Sequence, residues 1–280
     1  MTDDIRSVRL PDGAVAPCLG QGTWRMGEHP ARRAQEIAAL RRGVELGLTL
    51  IDTAEMYGDG GAEDLLAEAL RGLRDTVFIV SKAYPQNGAG PALRRACENS
   101  LRRLATDRID LYLLHWRGGA PLAATVEGMT ALQRAGKIRH WGVSNFDADD
   151  MAELLAAGGA GCAANQVLYN LQRRGVEYDL LPAMAARAIP TMAYSPIEQG
   201  RLPTAGALAD VARRLGATVN QVALAWVLRR PDVIAIPKAA TIAHVTENRR
   251  ALDVTLDAAA LAALDGAFPP PRKKTPLAML

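Results

Sequence analysis

The stretch Leu48-Thr49-Leu50-Ile51-Asp52, running on into Thr53-Ala54-Glu55-Met56-Tyr57, decides the fold. It is a short apolar run that stops on a carboxylate and passes into a loop containing Gly58 and Gly60. The same pattern recurs downstream in Val77-Phe78-Ile79-Val80-Ser81-Lys82 and in Leu111-Tyr112-Leu113-Leu114-His115. Four further runs close on Asn145, Gln166, Tyr194 and Lys238, and 18–23 supplies an eighth. Apolar runs without polar alternation are expected of parallel strands whose outer face is covered by helices.

Amphipathic segments fill the intervals, and helices are expected at 30–46, 62–73, 91–104, 122–135, 148–157, 178–187, 208–215 and 219–230. In the first of these, Pro30 suits an early helical position, and Ile37, Leu40, Val44 and Leu46 fall near one face before Gly47 releases the chain. Eight strand–helix repeats within 280 residues fit an α/β chain closed as a (β/α)8 TIM barrel, for which roughly 250 residues are typical. Pro11-Asp12-Gly13, following Val8-Arg9-Leu10, predicts a short N-terminal β-hairpin. An open doubly wound sheet is the competing architecture. It calls for a glycine fingerprint after the first strand, and Gly20-Gln21-Gly22-Thr23-Trp24-Arg25 lacks the third glycine. No shift in composition marks a boundary, so 1–280 reads as one domain. The Pro-rich segment 269–280 is expected to be non-helical, to lie across a face of the barrel, and could line the substrate pocket.

The bulk properties exclude several classes of function. Thirty-three basic against 30 acidic residues, a net charge of +3, leave no nucleic-acid footprint. No apolar stretch approaches the ~20 residues that span a bilayer, so no membrane association is expected. Met1-Thr2-Asp3-Asp4 opens no signal-peptide core, and a cytoplasmic location is expected. Cys18, Cys97 and Cys162 are too few and too far apart for a disulfide framework or a zinc site. His29, His115, His140 and His244 are scattered, and no metal is expected.

In a parallel barrel the C-terminal strand ends share one face. Asp52, Lys82 and His115 therefore meet there, and Tyr57 can turn back over the same rim. Asp52 would keep Lys82 charged, and an ammonium beside Tyr57 is expected to lower a phenol pKa that is ordinarily near 10. His115 could hydrogen-bond the atom that Tyr57 protonates. The four make a proton-donating site for a carbonyl oxygen. Singly, Asp52 could be a turn former, Tyr57 a loop aromatic, Lys82 a rim charge and His115 a core histidine; it is their coincidence on successive strands that points to chemistry. A Schiff-base role for Lys82 is disfavoured, because a paired Asp52 stabilises the charged amine.

Asp52-Thr53-Ala54-Glu55-Met56-Tyr57, Ser81-Lys82, Leu113-Leu114-His115-Trp116 and Gly142-Val143-Ser144-Asn145-Phe146, in that order, resemble the aldo-keto reductases. The resemblance runs from about 8 to 248. It implies hydride transfer from a nicotinamide to an aldehyde or ketone, with Asp52, Tyr57, Lys82 and His115 as the tetrad and Tyr57 as general acid. It implies further that Ser144, Asn145 and Gln166 bind the carboxamide and that Tyr194 stacks on the ring. Ser195 and Ile197 would lie on the pyrophosphate-side loop, and Ile236, Lys238, His244, Glu247 and Asn248 at the adenosine-phosphate end. Gly22, Thr23, Trp24 and Asp52 complete the implied cofactor contacts, while Trp24, Tyr57, His115 and Trp116 would line the substrate pocket.

Lys238 ahead of a helix N-terminus near Thr241 suits a phosphate independently of any resemblance. Ala239 and His244 stand where many members have Ser and Arg, so contacts to a 2′-phosphate are weakened. NADPH is the expected cofactor, with NADH use left open. The segments 165–170 and 177–182 resemble bacterial members that reduce methylglyoxal and related small aldehydes. The short loop 116–121 predicts an open pocket, with Arg117 at its rim favouring polar or anionic carbonyls. The expected partner is therefore a small carbonyl compound, and the expected state a monomer. A non-catalytic nicotinamide-binding regulator on the same fold is the second reading, disfavoured by the intact tetrad.

Overall fold

The computed structural model describes residues 5–280, and the acidic start at 1–4 lies outside them. The N-terminal hairpin pairs β1 (Ser7–Arg9) with β2 (Val15–Pro17) antiparallel, Ser7 facing Pro17, and turns through Gly13 at φ +92°. Eight parallel strands follow: β3 (Gly20–Gly22), β4 (Leu50–Asp52), β5 (Phe78–Ala83), β6 (Ile109–Leu114), β7 (Ile138–Ser144), β8 (Cys162–Leu168), β9 (Thr191–Tyr194) and β10 (Val233–Ala235). Each pairs with its neighbour in sequence order. β10 meets β3 through bridges Leu19–Ala235 and Gly22–Lys238, so the sheet closes. At this seam the Ala235 amide donates to the Cys18 carbonyl at 2.8 Å and the Gly22 amide to the Pro237 carbonyl at 3.0 Å. A Cβ on Gly22 would sit 2.9 Å from the Ile236 carbonyl oxygen, so closure here requires glycine.

Among the described residues, ten α-helices surround the barrel: α1 (Arg33–Glu45), α2 (Gly61–Ala69), α3 (Gly90–Arg103), α4 (Leu122–Arg134), α5 (Ala148–Ala156), α6 (Leu180–Ala185), α7 (Ala207–Arg214), α8 (Val219–Leu228), α9 (Ile242–Arg250) and α10 (Ala258–Ala267). Strands buried from end to end, such as Ile109-Asp110-Leu111-Tyr112-Leu113-Leu114, have a core on both faces, which accounts for the missing polar alternation. The expected helix 62–73 stops at Ala69, shortly before Gly72 adopts φ +79°. The expected 178–187 shrinks to Leu180–Ala185 and leaves Tyr178 half exposed. α10 was not foreseen: of its alanine-rich sequence only Ala260 and Leu264 are buried, too weak a stripe to read. Among the described residues, no helix is long and apolar enough to cross a membrane, and no group of His, Cys, Asp or Glu could hold a metal.

Candidate active site

The C-terminal ends of β4, β5 and β6 present Asp52, Lys82 and His115 as neighbours, and a 3-10 turn beginning at Tyr57 brings its phenol back over them. Lys82 is fully buried. Its ammonium donates to Asp52 Oδ2 at 2.8 Å, to the Thr53 carbonyl at 2.9 Å and to the Tyr57 hydroxyl at 3.1 Å. An ammonium has three protons, and all three are used. The Tyr57 oxygen therefore accepts from Lys82, which leaves its own proton to point elsewhere, into the cleft above. Gln166, across the barrel on β8, donates to Asp52 Oδ1 at 2.7 Å, so both carboxylate oxygens are held. The Tyr57 ring is braced edge-on by Trp24, at 4.9 Å between centroids, and His115 lies at 5.8 Å.

Burial pushes the Asp52 carboxyl up, opposed by Lys82 and Gln166. Burial alone would depress the Lys82 ammonium, but Asp52 and Tyr57 outweigh it and raise the lysine above its ordinary value. The 2.8 Å contact pairs them as carboxylate and ammonium, and Asp52 favours the charged form of Lys82. One expectation is overturned: the Tyr57 phenol lies above its ordinary value, because loss of solvent raises it more than Lys82 lowers it. The His115 imidazole is pushed down to about 2 by burial and by Lys82, so it is neutral and can only share a hydrogen bond, not deliver a charge. Its buried Nδ1 has no partner among the described residues.

A cleft of ≈490 Å³ opens above this corner and continues along the rim. Asp52, Tyr57, His115, Trp24 and Trp116 line its near end, with Lys82 just beneath. Ser144, Asn145, Gln166 and Tyr194 follow, then Gly22, Ser195 and Ile197. Ile236, Lys238, His244, Glu247 and Asn248 line the far end. Asn145 and Ser195 take left-handed backbone angles of φ +57° and +46°, a conformation costly for residues other than glycine and concentrated at functional positions. The strained Asn145 is held on all sides. Its amide donates to the Gln166 carbonyl at 2.8 Å and its side-chain nitrogen to the His115 carbonyl at 3.1 Å, and the Tyr194 hydroxyl donates to its Oδ1 at 3.1 Å. At the far end Lys238 is exposed, its ammonium lowered chiefly by partial loss of solvent, and α9 begins at Ile242 behind the Thr241 cap.

Two further expectations fail. Thr23 is wholly buried outside the cleft, its hydroxyl spent on the Asp52 carbonyl at 2.9 Å, because its strand neighbour has turned it into the barrel wall. Arg117 stands away from the cleft, engaged by Glu153 at 2.8 Å and Asp150 at 3.3 Å, so it offers no cationic rim. Arg25, Met56, Pro196, Gln199, Gly200 and Asn220 also line the cleft and were not anticipated, whereas Met279 and Leu280 bring the 269–280 segment to it as expected. Asn220 was findable: it lies inside the capping box that Thr218 forms with Gln221 at the start of α8. Arg25 and Met56 carry no pattern that distinguishes them from ordinary loop residues.

The model of the Aldo/keto reductase family matches residues 18–268. Methylglyoxal reductase YeaE of Escherichia coli K12 is 55% identical over 98% of this chain and 99% of its own. A crystal structure of an aldo/keto reductase from Klebsiella pneumoniae in complex with NADP and acetate superposes with a TM-score of 0.96 at 54% identity, covering 99% of this chain and 100% of that one. A second Klebsiella pneumoniae structure, in complex with NADPH, has the same TM-score, identity and coverage.

Proposed function

Because the chain belongs to the aldo/keto reductase family, we propose that it is an NADPH-dependent reductase of small aldehydes and 2-oxoaldehydes, with Tyr57 as the proton donor. The observation that carries this reading is the saturation of Lys82: with its three protons committed, it holds Tyr57 in place and leaves the phenolic proton for a substrate oxygen. The cleft suits an extended dinucleotide. It runs from the tetrad, past the strained Asn145 and Ser195, to the Lys238 cation and the start of α9, where a phosphate is favoured. Bound NADPH would supply the hydride that reaches the carbonyl carbon.

This chain's residues do the rest. Ser144, Asn145 and Gln166 orient the carboxamide, Tyr194 supports the ring, and Lys238 takes the 2′-phosphate. His115, neutral and buried, hydrogen-bonds the carbonyl oxygen, and Tyr57 protonates that oxygen as charge develops on it. The same assembly argues against Lys82 as a Schiff-base nucleophile, since its ammonium is held charged by Asp52 and fully engaged. Arg117 is already paired and so gives the substrate side no preference for anionic carbonyls. The name of the Escherichia coli relative supports methylglyoxal. We read the chain as one catalytic domain acting as a cytoplasmic monomer on small carbonyls, with no nucleic-acid partner.

NADPH oxidation followed over methylglyoxal, aromatic aldehydes and keto-sugars tests this. Tyr57→Phe should lower kcat by at least about 100-fold, the scale of a lost general acid, while the Kd for NADPH stays unchanged. An unmodified protein that bound NADPH yet reduced none of the panel would instead be a nicotinamide-binding regulator.

A further inference from the structure

We propose that Lys274 is a positioning residue for carbonyl reduction: it staples the C-terminal tail across the barrel mouth and so fixes the substrate-side wall that Met279 and Leu280 contribute to the cleft. This role rests on the carbonyl-reductase reading. The tail leaves α10 with its base secured by Arg174, which donates to the Phe268 carbonyl at 2.6 Å and pairs with Asp265 at 2.6 Å. Further on, the Lys274 ammonium meets Asp149 at 2.7 Å and Asp179 at 3.5 Å. Asp149 lies in the first turn of α5, just after β7, and Asp179 lies just before α6, after β8. One cation therefore ties the tail to the segments that follow the strands bearing Ser144 and Gln166.

Little else holds the tail. Residues 274–278 roof a cavity of ≈190 Å³ instead of packing flush against the barrel. Leu277 is the half-buried apolar foothold, and Thr275 approaches Gly175 so closely that a Cβ there would come within 2.7 Å of its hydroxyl. Beyond these contacts, Met279 and Leu280 reach the cleft about half exposed, and the Leu280 backbone lies beside the Tyr194 hydroxyl. The charge balance is one-sided: Asp147, Asp149 and Asp179 all act on Lys274, while Arg117 is occupied by Asp150 and Glu153. Solvent-exposed pairs of this kind change an equilibrium by about two- to five-fold and are screened by salt. That is enough to alter the occupancy of a loosely held wall without unfolding anything.

The decisive comparison uses the full-length protein and its Lys274→Arg and Lys274→Glu variants, with Asp149→Lys added to the last. Lys274→Glu, which sets a carboxylate against three others, should raise KM for methylglyoxal about five-fold while kcat and the Kd for NADPH stay within about two-fold. Amide hydrogen exchange across 275–280 should quicken in parallel. Lys274→Arg should behave like the parent, and adding Asp149→Lys to Lys274→Glu should restore both KM and exchange. The parent KM should rise with ionic strength, and that of Lys274→Glu should not. An unchanged KM, a KM increase without faster tail exchange, or a failure of the charge swap to rescue would each overturn the role. Absence of turnover in the parent would defeat the carbonyl-reductase reading itself, while exchange at 275–280 would still decide whether Lys274 holds the tail.

Discussion

A lysine with no free proton dictates what its neighbours can do. Lys82 gives one proton each to Asp52, Thr53 and Tyr57, so removing any partner disturbs a set that is fully matched. The acidity of Tyr57 could not be read from the sequence, which reveals the nearby ammonium but not the loss of solvent around the ring. Burial wins, and the phenol stays protonated at neutral pH, which is the form a donor needs. His115 gives a pH prediction with a definite sign. Its native pKa of about 2 lies below the ordinary 6.5, so between those values the unfolded chain binds a proton that the folded one refuses, and stability falls as pH drops below 6.5. By pH 5 the loss is ~2 kcal/mol, at 1.36 kcal/mol per pKa unit. Urea unfolding at pH 7 and pH 5 should show a drop larger by that amount in the parent than in His115→Gln. At the other end of the cleft, His244→Arg places a permanent cation near Lys238 and should lower the KM for NADPH several-fold while leaving that for NADH unchanged; equal effects on both would remove His244 from the phosphate end.

Elements position these residues through their ends. β7 delivers Ser144 and Asn145, and α5 begins at once behind Asp147, whose carboxylate accepts from the amides of Asp149 and Asp150 while Asp150 reaches back to the Asp147 amide. Asp147→Ala removes this box and should cost about 1 kcal/mol, seen as a fall of a few degrees in Tm. No measurable shift in Tm would show that the loop is held without its cap. The strand order and the eight repeats were legible because each strand is an unbroken apolar run ended by a polar residue, as in Leu50-Ile51-Asp52. Helix ends were less legible, since Ala69 and Ala185 stop helices where the chain must turn toward the next strand. Thr23 misled for a related reason: resemblance gives a position along the chain, but the register of Gly22 opposite Asp52 turns the next side chain into the wall.

At the scale of the molecule, catalytic corner and far cationic end are two ends of one groove, and a ligand spanning it should tie the barrel together. Binding that is confined to the native state adds RT ln(1 + [L]/Kd), about 2.7 kcal/mol at one hundred times Kd. NADPH at that excess should raise Tm by roughly 5 °C or more for a chain of this size, and NADH at the same concentration by less. An equal rise with NADH would show that Lys238 does not discriminate on the 2′-phosphate. The bond from Gln166 to Asp52 carries a further consequence. These residues are 114 apart in sequence and sit on opposite staves of the ring, so their 2.7 Å contact cannot exist in an incomplete arc of strands. Contacts of such sequence separation form late, after the entropy of closing the intervening chain has been met. Recovery of activity during refolding should therefore coincide with the last kinetic phase, and separately produced half-barrels should be inert until they find each other.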